Sequence, residues 1–275
     1  MAQRPIVLSL TSIPPRFQNL TRKFRAIERQ SIKPDYVELN IPDHYRRFPG
    51  EVPSLPPLPD WVSIKRCPID YGPATKILPT AERWRGTGAD ILLCDDDRLP
   101  DCNWIQRFAT ARKSRPHDII TERGWNIDER FGFKKTGPDF PRGELNPGRG
   151  RILSYRLKRI ASLGFWHPPR QVVKTAGYVD IFEGFLGALV PDGAFPAKVS
   201  DIPDIVWTVD DVWLSGMAYA NGTKVWLHNL PRPVHSDGRY DRIAPLKTFV
   251  ENGQGRTDAD RLAVEILRQE HGAWP

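Results

Sequence analysis

The sequence predicts an α/β fold, a mixed and mainly parallel central sheet flanked by helices, from three observations. Short apolar runs alternate with segments of helical periodicity through the first third of the chain, the pattern of a parallel sheet covered by helices. Ile91, Leu92 and Leu93 form an unbroken apolar run, as in a strand buried on both faces, and ligands gather at the carboxyl ends of such strands. That run ends, through Cys94, in three consecutive carboxylates, Asp95, Asp96 and Asp97.

The elements follow in order. Residues 5–10 read as the first strand. Phe17, Leu20, Phe24 and Ile27 then recur at helical spacing while Arg22, Lys23, Arg25 and Glu28 take other faces, which predicts an amphipathic helix. Residues 36–41 read as the second strand, the Pro-rich stretch 53–59 as a loop, 61–65 as the third strand, 74–84 as a helix and 89–94 as the fourth strand. This is a nucleotide-binding half of the Rossmann type, without the G-x-G-x-x-G that dinucleotide binding requires after the first strand. Further on, 177–190 predicts buried strand and turn, and 204–219 a strand running into a helix. Thr257, with Asp258 and Asp260, predicts the cap of a C-terminal helix that packs through Leu262, Ala263, Ile266 and Leu267.

Composition narrows the class. Of 275 residues, 40% are hydrophobic and 10% aromatic, as in a folded globular protein and not a disordered one. No run of about 18 uninterrupted apolar residues is present, and Gln3-Arg4-Pro5 leads directly into a strand, so the expectation is a cytoplasmic protein without a signal peptide. Cys67, Cys94 and Cys102 are odd in number and lack C-x-x-C spacing, which argues against a disulfide framework or thiolate zinc site and predicts small core residues. Forty Lys and Arg against 33 Asp and Glu give a net +7. The excess lies in segment 130–170, where ten basic residues face only Asp139 and Glu144, a local net of +8. This basic insert offers a surface for peripheral contact with an anionic membrane or an acidic acceptor; its alternative is a solvated loop. Arg156 and Arg159 would fall within the apolar arc of a helix over 152–166, which counts against insertion.

Three adjacent anions repel, and a turn or helix cap needs only one Asp. A hard dication accepts them, because oxygen ligands suit magnesium or manganese, which usually bind one or two carboxylates together with substrate phosphates. A second acidic pair, Asp210-Asp211, opens the segment Val-Asp-Asp-Val-Trp-Leu-Ser-Gly at 209–216. Capping and dipole effects explain one of the two. A carboxylate held against an acceptor hydroxyl can take its proton while a separate metal site stabilises a departing diphosphate.

On these motifs the chain resembles the GT-A fold glycosyltransferases, and among them family two. The D-x-D signature of that family is matched by Asp95-Asp96-Asp97, its acceptor-side strand by Gly184-Phe-Leu-Gly-Ala188, and its downstream acidic pair by Asp210-Asp211 with Leu214 and Gly222 at family spacing. The likeness runs from residue 5 to about residue 230. It implies a single GT-A domain over 1–275, with a nucleotide-sugar-binding half at 1–105, an acceptor-side half at 106–240 and a C-terminal helical segment at 241–275. It implies Asp211 as catalytic base with Asp210 as its orienter, and Thr11, Ser12 and Arg16 around the nucleotide base and ribose. Asp70 and Lys76 would lie on a donor-binding loop, Lys76 offsetting diphosphate charge, with a solvent-facing helix residue as the alternative for this lysine. Asp95 and Asp97 would hold Mn2+ or Mg2+, joined by a C-terminal His for which His228 and especially His235 are candidates. Asp96, with Asp95, would serve the donor. The chain departs from the family in having Asp210 where Glu is usual and Met217 where a basic residue is common.

The function implied is metal-dependent transfer from a nucleotide-diphosphate sugar, UDP-sugars first, to a hydroxyl on a glycan or lipid-linked acceptor, with inversion. A retaining GT-A enzyme is the nearest rival, since the D-x-D serves both. A sugar-phosphate nucleotidyltransferase would carry a Gly-rich loop where Leu10-Thr-Ser-Ile-Pro-Pro15 stands, and a D-x-D-x-T phosphatase would place its acids after the first strand. From another class, the basic excess suggests a nucleic-acid or anionic-surface binding protein. Two dense acidic centres disfavour it, so no nucleic acid is expected.

Overall fold

The computed structural model describes residues 4–137, 139–146, 157, 160, 161, 173–229, 235, 236, 243–246 and 255–275. Strands β1 (Ile6–Thr11), β2 (Tyr36–Pro42) and β3 (Ser63–Cys67) are parallel neighbours, and β4 (Asp90–Leu93) lies parallel on the other side of β1. The shorter strands are β5 (Arg98–Leu99), β6 (Ile119–Thr121), β7 (Gly124–Trp125), β8 (Glu144–Leu145), β9 (Val173–Thr175), β10 (Gly177–Val179), β11 (Ile181–Phe182), β12 (Ala188–Val190), β13 (Val225–Leu227) and β14 (His235–Ser236). Among the described residues one eight-stranded sheet runs in the order β10-β13-β6-β12-β4-β1-β2-β3. Six strands share a direction, and β10 and β12 oppose it. The expected mixed, mainly parallel sheet is therefore present.

Helices cover both faces: α1 (Leu20–Glu28), α2 (Leu78–Arg83), α3 (Trp104–Ser114), α4 (Ile127–Phe131), α5 (Asp210–Ala220) and α6 (Arg256–His271). The apolar run of β4 divides between them with the strand period of two. Leu92 and Cys94 join Leu8, Leu10, Phe24 and Phe108 on the α1 and α3 side. Ile91 and Leu93 join Ile77, Val212 and Leu267 on the α5 and α6 side. Each such side chain contributes about 2 kcal/mol on burial, and no polar position is needed because neither face meets water.

The structure redraws several boundaries. A 3₁₀ turn at Pro14–Asn19 precedes α1, with Pro14 and Pro15 in its first positions, where no amide donor is needed. The helix expected over 74–84 is a 3₁₀ turn, Gly72–Lys76, followed by α2, with the break at Ile77 just before Leu78-Pro79. In place of a strand after residue 204 there is a 3₁₀ turn, Asp204–Val206, following Pro203. Gly255, not Thr257, is the N-cap of α6. Cys67 and Cys94 are buried, but Cys102 is exposed, and all three are free. Residues 138, 147–156, 158, 159 and 162–170 of the basic insert lie outside the described residues, as does most of its expected contact surface. Among the described residues no helix is long and apolar enough to cross a membrane.

One close crossing determines what reaches the site. Gly216 of α5 faces Leu267 of α6 so tightly that a Cβ at 216 would lie 2.5 Å from a Leu267 methyl. Helix α6 thereby lies against α5, with its first residue, Arg256, beside the start of α5.

Candidate active site

The chain builds β2 and β3 on one side of β1 and then crosses to place β4 on the other. Such a switch leaves a crevice at the carboxyl ends of the two central strands, where ligands bind in open α/β sheets. Thr11 and Ser12 end β1 and Asp95 to Asp97 follow β4, so both segments border that crevice.

The three carboxylates are held differently. Asp96 accepts a 2.5 Å hydrogen bond from Ser12 Oγ, and Arg16 Nη1 lies 3.1 Å from both Asp96 Oδ1 and Asp97 Oδ2. The backbone of the turn is pinned by α1 and the residue before it: Asn19 donates to the Asp96 carbonyl at 2.9 Å, and Lys23 to the carbonyls of Asp95 and Arg98 at 2.9 and 2.7 Å. Asp95 is the most exposed of the three, its side chain 32% accessible, and its Oδ1 accepts from Lys76 Nζ at 2.8 Å. Burial pushes the Asp96 carboxyl up. Burial, with the charges of Asp95 and Asp96, pushes Asp97 up to about 6 even though Arg16 and Arg98 oppose it. Burial acts on Asp95 too, but Lys76 outweighs it and holds that carboxyl below its ordinary value.

Asp97 tests the fit of a cation. Its Oδ1 is buried without a hydrogen bond, 3.5 Å from Arg98 Nε, and hard carboxylate oxygens are the donors that Mg2+ and Mn2+ take. The residues fit such an ion at Asp95 and Asp97. Among the described residues no group of three or more His, Cys, Asp or Glu is arranged to hold a metal alone, so a dication here would complete its shell with water or substrate oxygens. β14 pairs with β5 and sets the backbone of His235 opposite Leu99, two residues past Asp97. The backbone amide of His228, the other candidate, donates to the Thr121 carbonyl at 2.8 Å, and burial lowers its imidazole pKa.

The second acidic pair opens α5, whose N-cap, Val209, makes no side-chain capping bond. Asp211 Oδ1 accepts the Gly184 amide at 3.0 Å, and Arg256 Nη2 stands 3.9 Å from its other oxygen. Ser215 Oγ bonds the Asp211 carbonyl at 2.6 Å and accepts the Phe182 amide at 3.1 Å, tying α5 to β11. Burial and the neighbouring Asp210 push the Asp211 carboxyl well up, with Lys76 and Arg256 opposing. Asp210 Oδ2 lies 2.9 Å from Lys76 Nζ, an ion contact off hydrogen-bond alignment. Lys76 is thus buried, contrary to the solvent-facing alternative, and burial is outweighed by Asp210 and Asp95, which hold its ammonium well above the ordinary value.

One cavity of about 290 Å³ is lined by Thr11, Ser12, Arg16, Asp70, Lys76, Asp95, Asp96, Asp97, Asp210 and Asp211 together. Some of these also brace the walls. Thr11 Oγ1 donates to the Asn40 carbonyl at 2.7 Å, and Asp70 accepts the amides of Gly72 and Arg46 at 2.8 Å. The sequence reading missed Tyr45, Arg47, Phe185, Trp207 and Arg256, which line the same cavity. Tyr45 Oη donates to the Ser12 carbonyl, and Trp207 packs against Gly72, whose φ of +60° suits glycine.

No family model matches the chain, and no curated protein does. Among solved structures it is similar to S. aureus TarS, at a TM-score of 0.44 and 10% identity over 84% of this chain and 36% of that one. Residues 1–349 of TarS in complex with UDP match at a TM-score of 0.44 and 11% identity, again over 84% of this chain and 60% of that one. The same TarS segment in a second structure gives a TM-score of 0.45, 11% identity and the same coverage. The chain spans between 36% and 60% of the length of these structures.

Proposed function

We propose that the protein is a GT-A glycosyltransferase that moves a sugar from a nucleotide diphosphate to an acceptor hydroxyl. The observation that carries this reading is the convergence of two acidic centres, Asp95 to Asp97 and Asp210-Asp211, on one cavity at the switch point of the sheet. The first suits a leaving diphosphate and the second a nucleophile.

Asp211 takes the proton from the acceptor hydroxyl as its oxygen bonds the anomeric carbon. The bond from that carbon to the phosphate oxygen breaks, and its electron pair leaves with the nucleoside diphosphate. Direct displacement of this kind inverts the anomeric centre. A carboxyl pushed up by burial is a stronger proton acceptor than one in water; Arg256 opposes that push, and the Gly184 amide aims the carboxylate. Asp95 and Asp97 would hold Mn2+ or Mg2+, which supplies charge stabilisation to the diphosphate. Arg16 and Ser12 fix Asp96, and Tyr45 and Trp207 offer aromatic walls for the nucleotide.

A panel of nucleotide sugars, UDP-sugars first, read by thermal shift and by hydrolysis with and without Mn2+ or Mg2+, tests the reading. Metal-dependent stabilisation by at least one donor is expected. Absence of stabilisation by every donor refutes it, and the anomer of the product separates inversion from retention.

A further inference from the structure

The ammonium of Lys76 stands between carboxylates that come from different sides of the site, Asp95 Oδ1 at 2.8 Å and Asp210 Oδ2 at 2.9 Å. Its side chain is 5% exposed. The position is built into the fold. Ser9 Oγ on β1 donates a 2.5 Å hydrogen bond to the Lys76 carbonyl, the 3₁₀ turn Gly72–Lys76 sets the backbone, and Gly184 leaves room for Nζ, since a Cβ there would lie 3.3 Å from it.

One buried ammonium shared between the partly accessible Asp95 and the buried Asp210 cannot neutralise both. Removing a partner from a buried charge is costly because the remaining charge stays desolvated, so whatever alters one carboxylate is felt at the other through the lysine. A cation at Asp95 would repel the ammonium and turn its charge toward Asp210. Diphosphate contact is then not needed to explain why a lysine is here.

We propose that Lys76 is a shared counter-cation that couples the two acidic centres, so that loading of the Asp95–Asp97 side strengthens the hold on the Asp210-Asp211 turn. The role deepens the two-centre transferase reading and rests on it for its use, but the coupling itself does not require that reading. Lys76 acts through its two carboxylates and is a positioning residue.

The primary test uses no ligand. Thermal unfolding is measured for Asp95→Asn, Asp210→Asn and the double variant, in the wild-type background and with Lys76→Met. With the lysine present, each single change lowers Tm by no more than about 2–4 °C, because one carboxylate still meets the ammonium. The double change takes both close carboxylates from a buried ammonium, leaving it only the charge of Asp211, and lowers Tm by clearly more than the sum. With Lys76→Met the same changes relieve repulsion and raise Tm, by no more than the sum in the double variant, because either change alone already removes the repulsion between the two carboxylates. Additive losses in the presence of Lys76 overturn the coupling, and this arm decides alone if Lys76→Met does not fold.

Mn2+ alone, followed by water-proton relaxation, gives a readout that a merely structural lysine would not move. Lys76→Met is expected to bind Mn2+ about tenfold more tightly, since a like charge is gone from the site, and unchanged affinity contradicts the proposal. If the unfolding cycle is super-additive while neither wild type nor any variant binds Mn2+, the coupling stands and the metal-dependent reading falls. If Mn2+ and a donor bind but the cycle is additive, the reading stands and the coupling falls.

Discussion

The backbone amide of Gly184 donates a 3.0 Å hydrogen bond to Oδ1 of Asp211. The contact joins the loop between β11 and β12 to the first turn of α5, and it aims the carboxylate across the cavity and away from the helix's own amides. Gly184 is small for a reason that its surroundings make plain. A Cβ there would lie 2.7 Å from a Leu93 methyl, 3.1 Å from Asp211 Oδ1 and 3.3 Å from Lys76 Nζ.

Gly184→Ala therefore displaces the base or the lysine. Transfer is expected to fall by about 100-fold, the scale set by a misplacement of roughly 1 Å, while nucleotide affinity changes less than about threefold. Steady-state kinetics beside calorimetric nucleotide binding checks this, and an alanine variant with full turnover would contradict the packing argument.

Arg256 opposes the upward push on Asp211. Replacing it with Met removes a cation from the base, so the Asp211 carboxyl rises further and the acid limb of the pH profile of kcat/KM moves to higher pH. The profile of Arg256→Met against wild type provides the comparison. A limb that stays in place would separate Arg256 from the base.

Glu122, at the end of β6, is pushed from 4.5 up to about 7 by burial, despite the hydrogen bond from Arg107 at 2.8 Å. The folded state holds its proton more tightly than the unfolded state, so this group's contribution to stability is greatest below 4.5. That contribution is lost as pH rises to about 7 and then levels off. Urea unfolding across this range should show a downward slope that Glu122→Gln flattens.

Trp104 is 1% exposed and its Nε1 donates to the Leu186 carbonyl at 2.9 Å, under the loop that carries Gly184. Trp104→Ala opens a cavity and strands that carbonyl, for an expected loss of about 3–5 kcal/mol. The denaturation midpoint reads it directly. A loss under about 1 kcal/mol would mean that the loop is held by other contacts.

What the sequence shows of this site, and what it hides, follows from the range of the interactions. Asp95 to Asp97 and Asp210-Asp211 are legible because adjacent like charges conflict with local structure and demand a tertiary explanation. The β4 strand is legible because a fully apolar run needs cover on both faces. Lys76 is half legible, placed on a donor-binding loop by resemblance with a solvated residue as the alternative, because its partners lie 19 and 134 positions away. Arg256 reaches Asp211 only because Gly216 admits Leu267, a packing fact with no local signal. The break before α2 did have one, because Pro79 has no amide to continue the hydrogen bonds of the preceding turn and is tolerated only in the first turn of a new helix.

The most direct measurement compares Asp211→Asn with Asp97→Ala, each assayed for donor binding with Mn2+ and for sugar transfer. Asp211→Asn is expected to bind donor within about threefold of wild type and to lose transfer by a factor of about 10²–10⁴, the scale of a lost general base. Asp97→Ala is expected to lose the metal-dependent part of donor binding itself. Equal loss of binding and transfer in Asp211→Asn, or metal-dependent binding intact in Asp97→Ala, would contradict the division of the site into a leaving-group centre and a nucleophile centre.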